Sequence, residues 1–168
     1  TLTPQTSYKV RVRGICSETD TSGWSEISFT TLCRTFELPL VEYFDQTAPQ
    51  TLPECWEGFT TLASNTPLVE RPSGDNSISS PGILNFNTTT GGYNLAILPR
   101  TELQGQYNDL WITFWAKSTP GNTGTLSLGI MDDPSMPSTF TVVAEVNFTD
   151  DSLWNEYDLV MSDYYGTG

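Results

Sequence analysis

The chain has 168 residues, with seven Lys and Arg against 20 Asp and Glu, and the resulting net charge of −13 excludes a phosphate backbone as a default partner. It contains no His, which removes Ser-His-Asp and Cys-His hydrolysis, imidazole-ligated zinc and the 2-His-carboxylate iron site together. Aromatics at 12 % beside charged residues at only 16 %, with abundant Thr, Ser, Gly, Pro and Asn, suit short strands and polar turns and predict an all-β chain.

From Ser7 to Arg13 apolar and polar residues alternate, with Tyr8, Val10 and Val12 on one face and Lys9, Arg11 and Arg13 on the other, the period-2 pattern of a half-buried strand. A turn-rich stretch from Ser17 to Gly23 follows, and Trp24 to Thr31 reads as a second strand, so residues 7 to 31 form a hairpin. Two strands alone are marginal in water. The expectation is that this hairpin packs on strands from another chain or from neighbouring domains of a parent chain. Further strands are predicted over Leu40 to Phe44, Trp56 to Leu62, Ile83 to Phe86, Tyr93 to Leu98, Leu110 to Lys117, Thr125 to Met131, Thr139 to Phe148 and Trp154 to Met161, separated by Pro, Gly, Asn and Asp. So many short strands without helical periodicity predict a sandwich of antiparallel sheets. Apolar runs such as Leu95 to Leu98 are only a few residues long, so no membrane span is expected. Residues 1 to 32 balance three basic with three acidic groups, while residues 33 to 168 hold four basic and 17 acidic ones. The whole net charge therefore lies on the second part.

Leu2, Pro4, Thr6, Tyr8, Val10 and Val12, then Gly23-Trp24-Ser25 and Phe29-Thr30-Thr31, resemble the last two strands of a fibronectin type III module. The resemblance implies that Tyr8 belongs to a tyrosine corner and that residues 1 to 32 are the C-terminal part of such a module. From about residue 36 onward the chain resembles the MAM-like jelly-roll modules of Bacteroidetes surface proteins, including the cleaved adhesin family. The residues carrying this are Leu38-Pro39, Glu42-Tyr43-Phe44-Asp45, Leu52-Pro53-Glu54-Cys55-Trp56, Ala96-Ile97-Leu98-Pro99, Leu110 to Lys117, Gly129 to Pro134, Ser138-Thr139-Phe140 and Trp154-Asn155-Glu156-Tyr157. This resemblance implies an antiparallel jelly-roll β-sandwich over residues 33 to 168, with strands beyond Tyr164-Tyr165-Gly166 expected in a whole module.

Several residues suggest chemistry. Trp111 and Trp115 share one face of a predicted strand at a spacing of about 13 Å, which suits stacking of two sugar rings; burial of both in the core is the competing reading. Carboxylates cluster at Glu42 and Asp45, Asp132 and Asp133, and Asp150 and Asp151, and calcium takes oxygen ligands of this kind, although Asp pairs also belong to ordinary turns. The jelly-roll resemblance favours Glu42 and Asp45 as ligands of a structural calcium, the one cofactor expected. Asn87-Thr88-Thr89 and Asn147-Phe148-Thr149 satisfy the N-glycosylation pattern. Asp151-Ser152-Leu153 resembles the Bacteroidetes O-glycosylation acceptor, with Ser152 carrying the sugar. Of the three cysteines, Cys16 lies near the hairpin turn and Cys33 beyond the far strand end, about 25 Å away, so the hairpin excludes their pairing. A MAM-like arrangement implies a Cys33 to Cys55 bridge with Cys16 free or paired outside this chain; three reduced thiols are the alternative.

The expected function is a non-catalytic adhesion or glycan-binding module of an exported bacterial protein, extracellular or at the cell surface. Its partner would be a glycan or a host or cell-surface protein, with no nucleic acid. A structural spacer or assembly subunit with no small ligand, and an accessory segment of a secreted hydrolase, are the rival readings.

Overall fold

The computed structural model describes residues 1–62, 66–73, 77–87, 91–102, 107, 109–149 and 152–161. Strand β1 (Ser7–Val12) pairs antiparallel with β2 (Ser25–Thr30), placing Tyr8 opposite Phe29 and Val10 opposite Ile27. Alternation then decides the faces. Lys9 Nζ and Arg11 Nε reach the Glu26 carboxylate at 2.9 and 2.6 Å on the polar side, while Tyr8 and Phe29 stack at 5.9 Å on the other. The Tyr8 hydroxyl accepts the Thr3 N–H at 2.8 Å, tying the incoming segment to the strand. Val10, Val12, Ile27 and Phe29 remain exposed, so the hairpin's apolar face is open.

Eight further strands follow: β3 (Glu57–Thr60), β4 (Leu68–Glu70), β5 (Ile83–Asn85), β6 (Asn94–Ile97), β7 (Trp111–Ala116), β8 (Gly124–Met131), β9 (Phe140–Phe148) and β10 (Asn155–Val160). A 3-10 turn, Pro137–Thr139, leads into β9, and among the described residues there is no α-helix. The chain is all-β, as its composition and alternation predict. Pairing is nested: β4 pairs with β5 inside the β3–β6 pair, and β8 pairs with β9 inside the β7–β10 pair, all antiparallel. A bulge between Leu128 and Gly129 shifts the β8–β9 register.

Two elements differ from the sequence expectation. Leu40 to Phe44 is not a strand, because Phe44 adopts a φ of 63° and its N–H is taken by the Glu42 carboxylate, which curls the segment into a turn. Strand β4 was not expected; it is three residues long between Pro67 and Pro72, too short to show a period.

Among the described residues the buried apolar side chains are few, chiefly Cys55, Pro67, Val69, Val146 and Met161. Aromatic contacts extend this core. Phe114 of β7 stacks on Tyr157 of β10 at 5.5 Å, and Phe148 of β9 meets the same ring edge-on at 6.0 Å, joining the inner faces of the two nested pairs. Phe44 meets Trp56 edge-on at 5.7 Å. The chain exposes 11,709 Å², whereas a compact monomer of 18.6 kDa exposes about 8,200 Å².

A disulfide joins Cys33, just after β2, to Cys55, just before β3, with Cα atoms 5.7 Å apart, as the MAM-like resemblance implied. Cys16 is an exposed free thiol. The bridge closes a separation of 22 residues, so Cys33→Ser should lower unfolding free energy by about 3 kcal/mol on the chain-entropy model, measured by denaturant unfolding with and without reductant. The hairpin offers a separate check. Lys9 first and Arg11 next hold the Glu26 carboxyl below the usual carboxylate range. A carboxylate depressed in the folded state contributes stability above its unfolded titration and loses it as pH falls through the folded value. NMR titration of Glu26 should therefore show a low midpoint that moves up in Lys9→Met.

Candidate functional site

The β7–β10 pair has two unlike faces because side chains alternate along both strands. Its register sets Trp111 opposite Val160, Thr113 opposite Asp158 and Trp115 opposite Glu156. Ile112, Phe114, Ala116, Tyr157 and Leu159 point the other way and are half-buried. The outer face thus carries two tryptophans, a threonine and two carboxylates. Trp111 is 68 % exposed and Trp115 45 % exposed. The Thr113 hydroxyl donates to Asp158 Oδ1 at 2.6 Å, which fixes that carboxylate midway between the two indoles.

The carboxylates keep this face wet. An unpaired carboxylate taken into an apolar interior is heavily penalised. Glu156 and Asp158 are exposed, neither β7 nor β10 contains a Lys or Arg, and Lys117, just past β7, lies over the Trp154 ring at 4.9 Å. Exposed indoles beside acceptor-only oxygens present flat apolar platforms with hydrogen-bond acceptors between them. Thr113 shares the tryptophans' parity on the predicted strand, whereas Glu156 and Asp158 were missed: their alternation is visible, but only the cross-strand register shows that they share the tryptophans' face.

Glu42 and Asp45 do lie in one turn, but their oxygens serve the backbone. Glu42 Oε1 accepts the Phe44 N–H at 2.5 Å. Asp45 Oδ1 accepts the Gly82 N–H at 3.1 Å and the Ser79 hydroxyl at 3.4 Å. The carbonyls of this turn converge on a cation already present in the chain: the Arg71 guanidinium donates to Phe44 O at 3.0 Å, to Asp45 O at 3.1 Å and to Thr47 O. These residues do not fit a calcium ion as arranged, since a guanidinium holds the carbonyls and would repel a second cation. Among the described residues no three His, Cys, Asp or Glu gather as a metal site. Arg71 was also missed, because its partners lie 24 to 27 residues away and no local pattern announces them.

Asp133 Oδ1 accepts the Ser135 N–H at 2.9 Å and its hydroxyl at 2.7 Å, an ordinary Asp turn, and those two bonds, hydroxyl first, hold its carboxyl below the usual range. Ser152 is half-buried with a φ of 53°. Asn147 lies exposed on β9, its side-chain oxygen accepting the Thr125 hydroxyl at 2.7 Å. Asn87 is exposed and its carbonyl accepts from Asn94 Nδ2. Thr88, Thr89, Asp150, Asp151 and Tyr164-Tyr165-Gly166 lie outside the described residues. No described helix is long and apolar enough to cross a membrane.

Comparison with family models, curated proteins and solved structures finds no match.

The Arg71 cradle generates two stability predictions. Arg71→Ala leaves three carbonyls without their charged donor and should lower unfolding free energy by about 2–3 kcal/mol. Gly82→Ala should destabilise by about 1–3 kcal/mol by overpacking, because an added Cβ would collide with the Phe44 carbonyl and the Arg71 guanidinium. Denaturant melts of both variants check these values, and wild-type midpoints should be equal in millimolar calcium and in chelator.

Proposed function

We propose that the chain is a non-catalytic glycan-binding module of a secreted or cell-surface bacterial protein, and that the outer face of β7 and β10 is its binding surface. The observation that carries this reading is the exposure of Trp111 and Trp115 on the face that also bears Asp158 and Glu156. Indoles stack on the apolar faces of sugar rings, while carboxylates accept bonds from ring hydroxyls. The carboxylates share one flat face, whereas glycoside hydrolysis needs two that flank a scissile bond. That supports binding over catalysis.

Architecture supports a two-module reading. In each nested set the fourth strand pairs with the first and the second with the third, two of the three neighbour contacts of a Greek key, which is compatible with a MAM-like module over residues 33 to 168. The Tyr8 hydroxyl bond to the Thr3 backbone resembles a tyrosine corner and supports a fibronectin-type origin for residues 1 to 32. The open face of Val10, Val12, Ile27 and Phe29 supports a hairpin that neighbouring strands cover. A disulfide favours an oxidising, extracellular setting.

On a glycan array, the folded chain should give saturable signals that Trp111→Ala and Trp115→Ala each weaken about tenfold, or about 1.4 kcal/mol. Unchanged binding in both folded variants would remove the reading in favour of a spacer.

A further inference from the structure

Resting on that glycan-binding reading, the geometry points to a narrower ligand: a linear, uncharged oligosaccharide of three or more sugars lying along β7, with Asp158 as its central hydrogen-bond acceptor. Trp111 and Trp115 stand four residues apart on one side of one strand, about 13 Å at the usual rise. A single sugar covers one platform and cannot reach the other. A chain that reaches both must lay at least one more sugar over the gap, where Thr113 and Asp158 stand.

The gap has a definite chemistry. Thr113 Oγ1 donates to Asp158 Oδ1 at 2.6 Å, so the carboxylate is oriented and its other oxygen is left to accept. An ionised carboxylate has no proton to give. Its ligand must therefore supply donors, as sugar hydroxyls do. Glu156, opposite Trp115, repeats this requirement at one end of the track.

Charge narrows the class further. The strands give the outer face two carboxylates and no Lys or Arg, and Lys117, two residues past Trp115 on the same parity, already lies over the Trp154 ring at 4.9 Å, on a chain of net charge −13. Sulfated and uronate chains would place like charge directly opposite like charge, which costs affinity and slows encounter. A compact cation is disfavoured on different grounds. An aromatic cage needs rings converging on one point, and these two lie in a row.

The test uses the whole chain on an array of neutral linear glycans of one to six sugars and several linkages, beside sulfated and uronate chains, at low salt. Signals confined to neutral chains of three or more sugars are expected. Titration calorimetry on the best neutral chain should show at least tenfold weaker binding for Asp158→Asn and a smaller loss for Thr113→Val, which leaves the carboxylate in place but unfixed. Single sugars bound as tightly as tetrasaccharides, equal signals on uronate chains, or full affinity in Asp158→Asn would overturn this inference and leave glycan binding standing. Silence on every glycan would overturn both.

Discussion

The constraint on which this structure turns is that a two-stranded antiparallel pair has two faces and can bury only one. In β7 and β10 the alternation groups Phe114 with Tyr157 and separates both from Asp158 and Glu156. The aromatic group takes the interior, where Tyr157 also receives Phe148 from β9. The carboxylates cannot follow them there without partners, for the desolvation of an unpaired charge outweighs what the surrounding apolar contacts contribute. The tryptophans lie on the carboxylate side by parity alone. Their exposure is a consequence of where the acids must be.

Long-range ties stabilise a fold whose fully buried core is small. The Cys33–Cys55 bridge fixes the junction between the β1–β2 hairpin and the first strand of the larger set. The Arg71 guanidinium draws three carbonyls of residues 44 to 47 together, and Asp45 holds the backbone of Gly82 against the same turn. Both devices act at loops, where the strand ladders supply no bonds of their own. They support β3, β4 and β5, which are only three or four residues long, where an isolated two-stranded pair would be marginal in water.

How much could be read beforehand follows from the range of each interaction. Strand existence is a local property, so the alternation in Ser7 to Arg13 and Leu110 to Lys117 announced β1 and β7 within a residue or two. Strand β4 has three residues between two prolines and offers no period to detect. Leu40 to Phe44 is apolar enough for a strand, yet the Glu42 carboxylate and a left-handed Phe44 make it a turn. Which face of β7 is wet was undecidable locally, since both faces carry large side chains. The answer lies in β10, more than forty residues further on, and in a register that only the fold provides.

The two open faces of this chain differ in kind, and the difference indicates what each should meet. On the β1–β2 hairpin, charges lie on the far side, where Lys9, Arg11 and Glu26 already pair, and the open side shows Val10, Val12, Ile27 and Phe29 with no charged group among them, only Ser25 opposite Val12 and the Tyr8 hydroxyl bonded to Thr3. Such a surface gains from any apolar cover and asks for no hydrogen bonds, so it suits the inner face of another sheet. On β7 and β10 the open side mixes indoles with Asp158 and Glu156, and a dry cover would strand the acids. A partner for this face must stack and also donate hydrogen bonds, as the polyhydroxylated ring proposed above would, whereas a purely apolar sheet face would leave the acids unpaired.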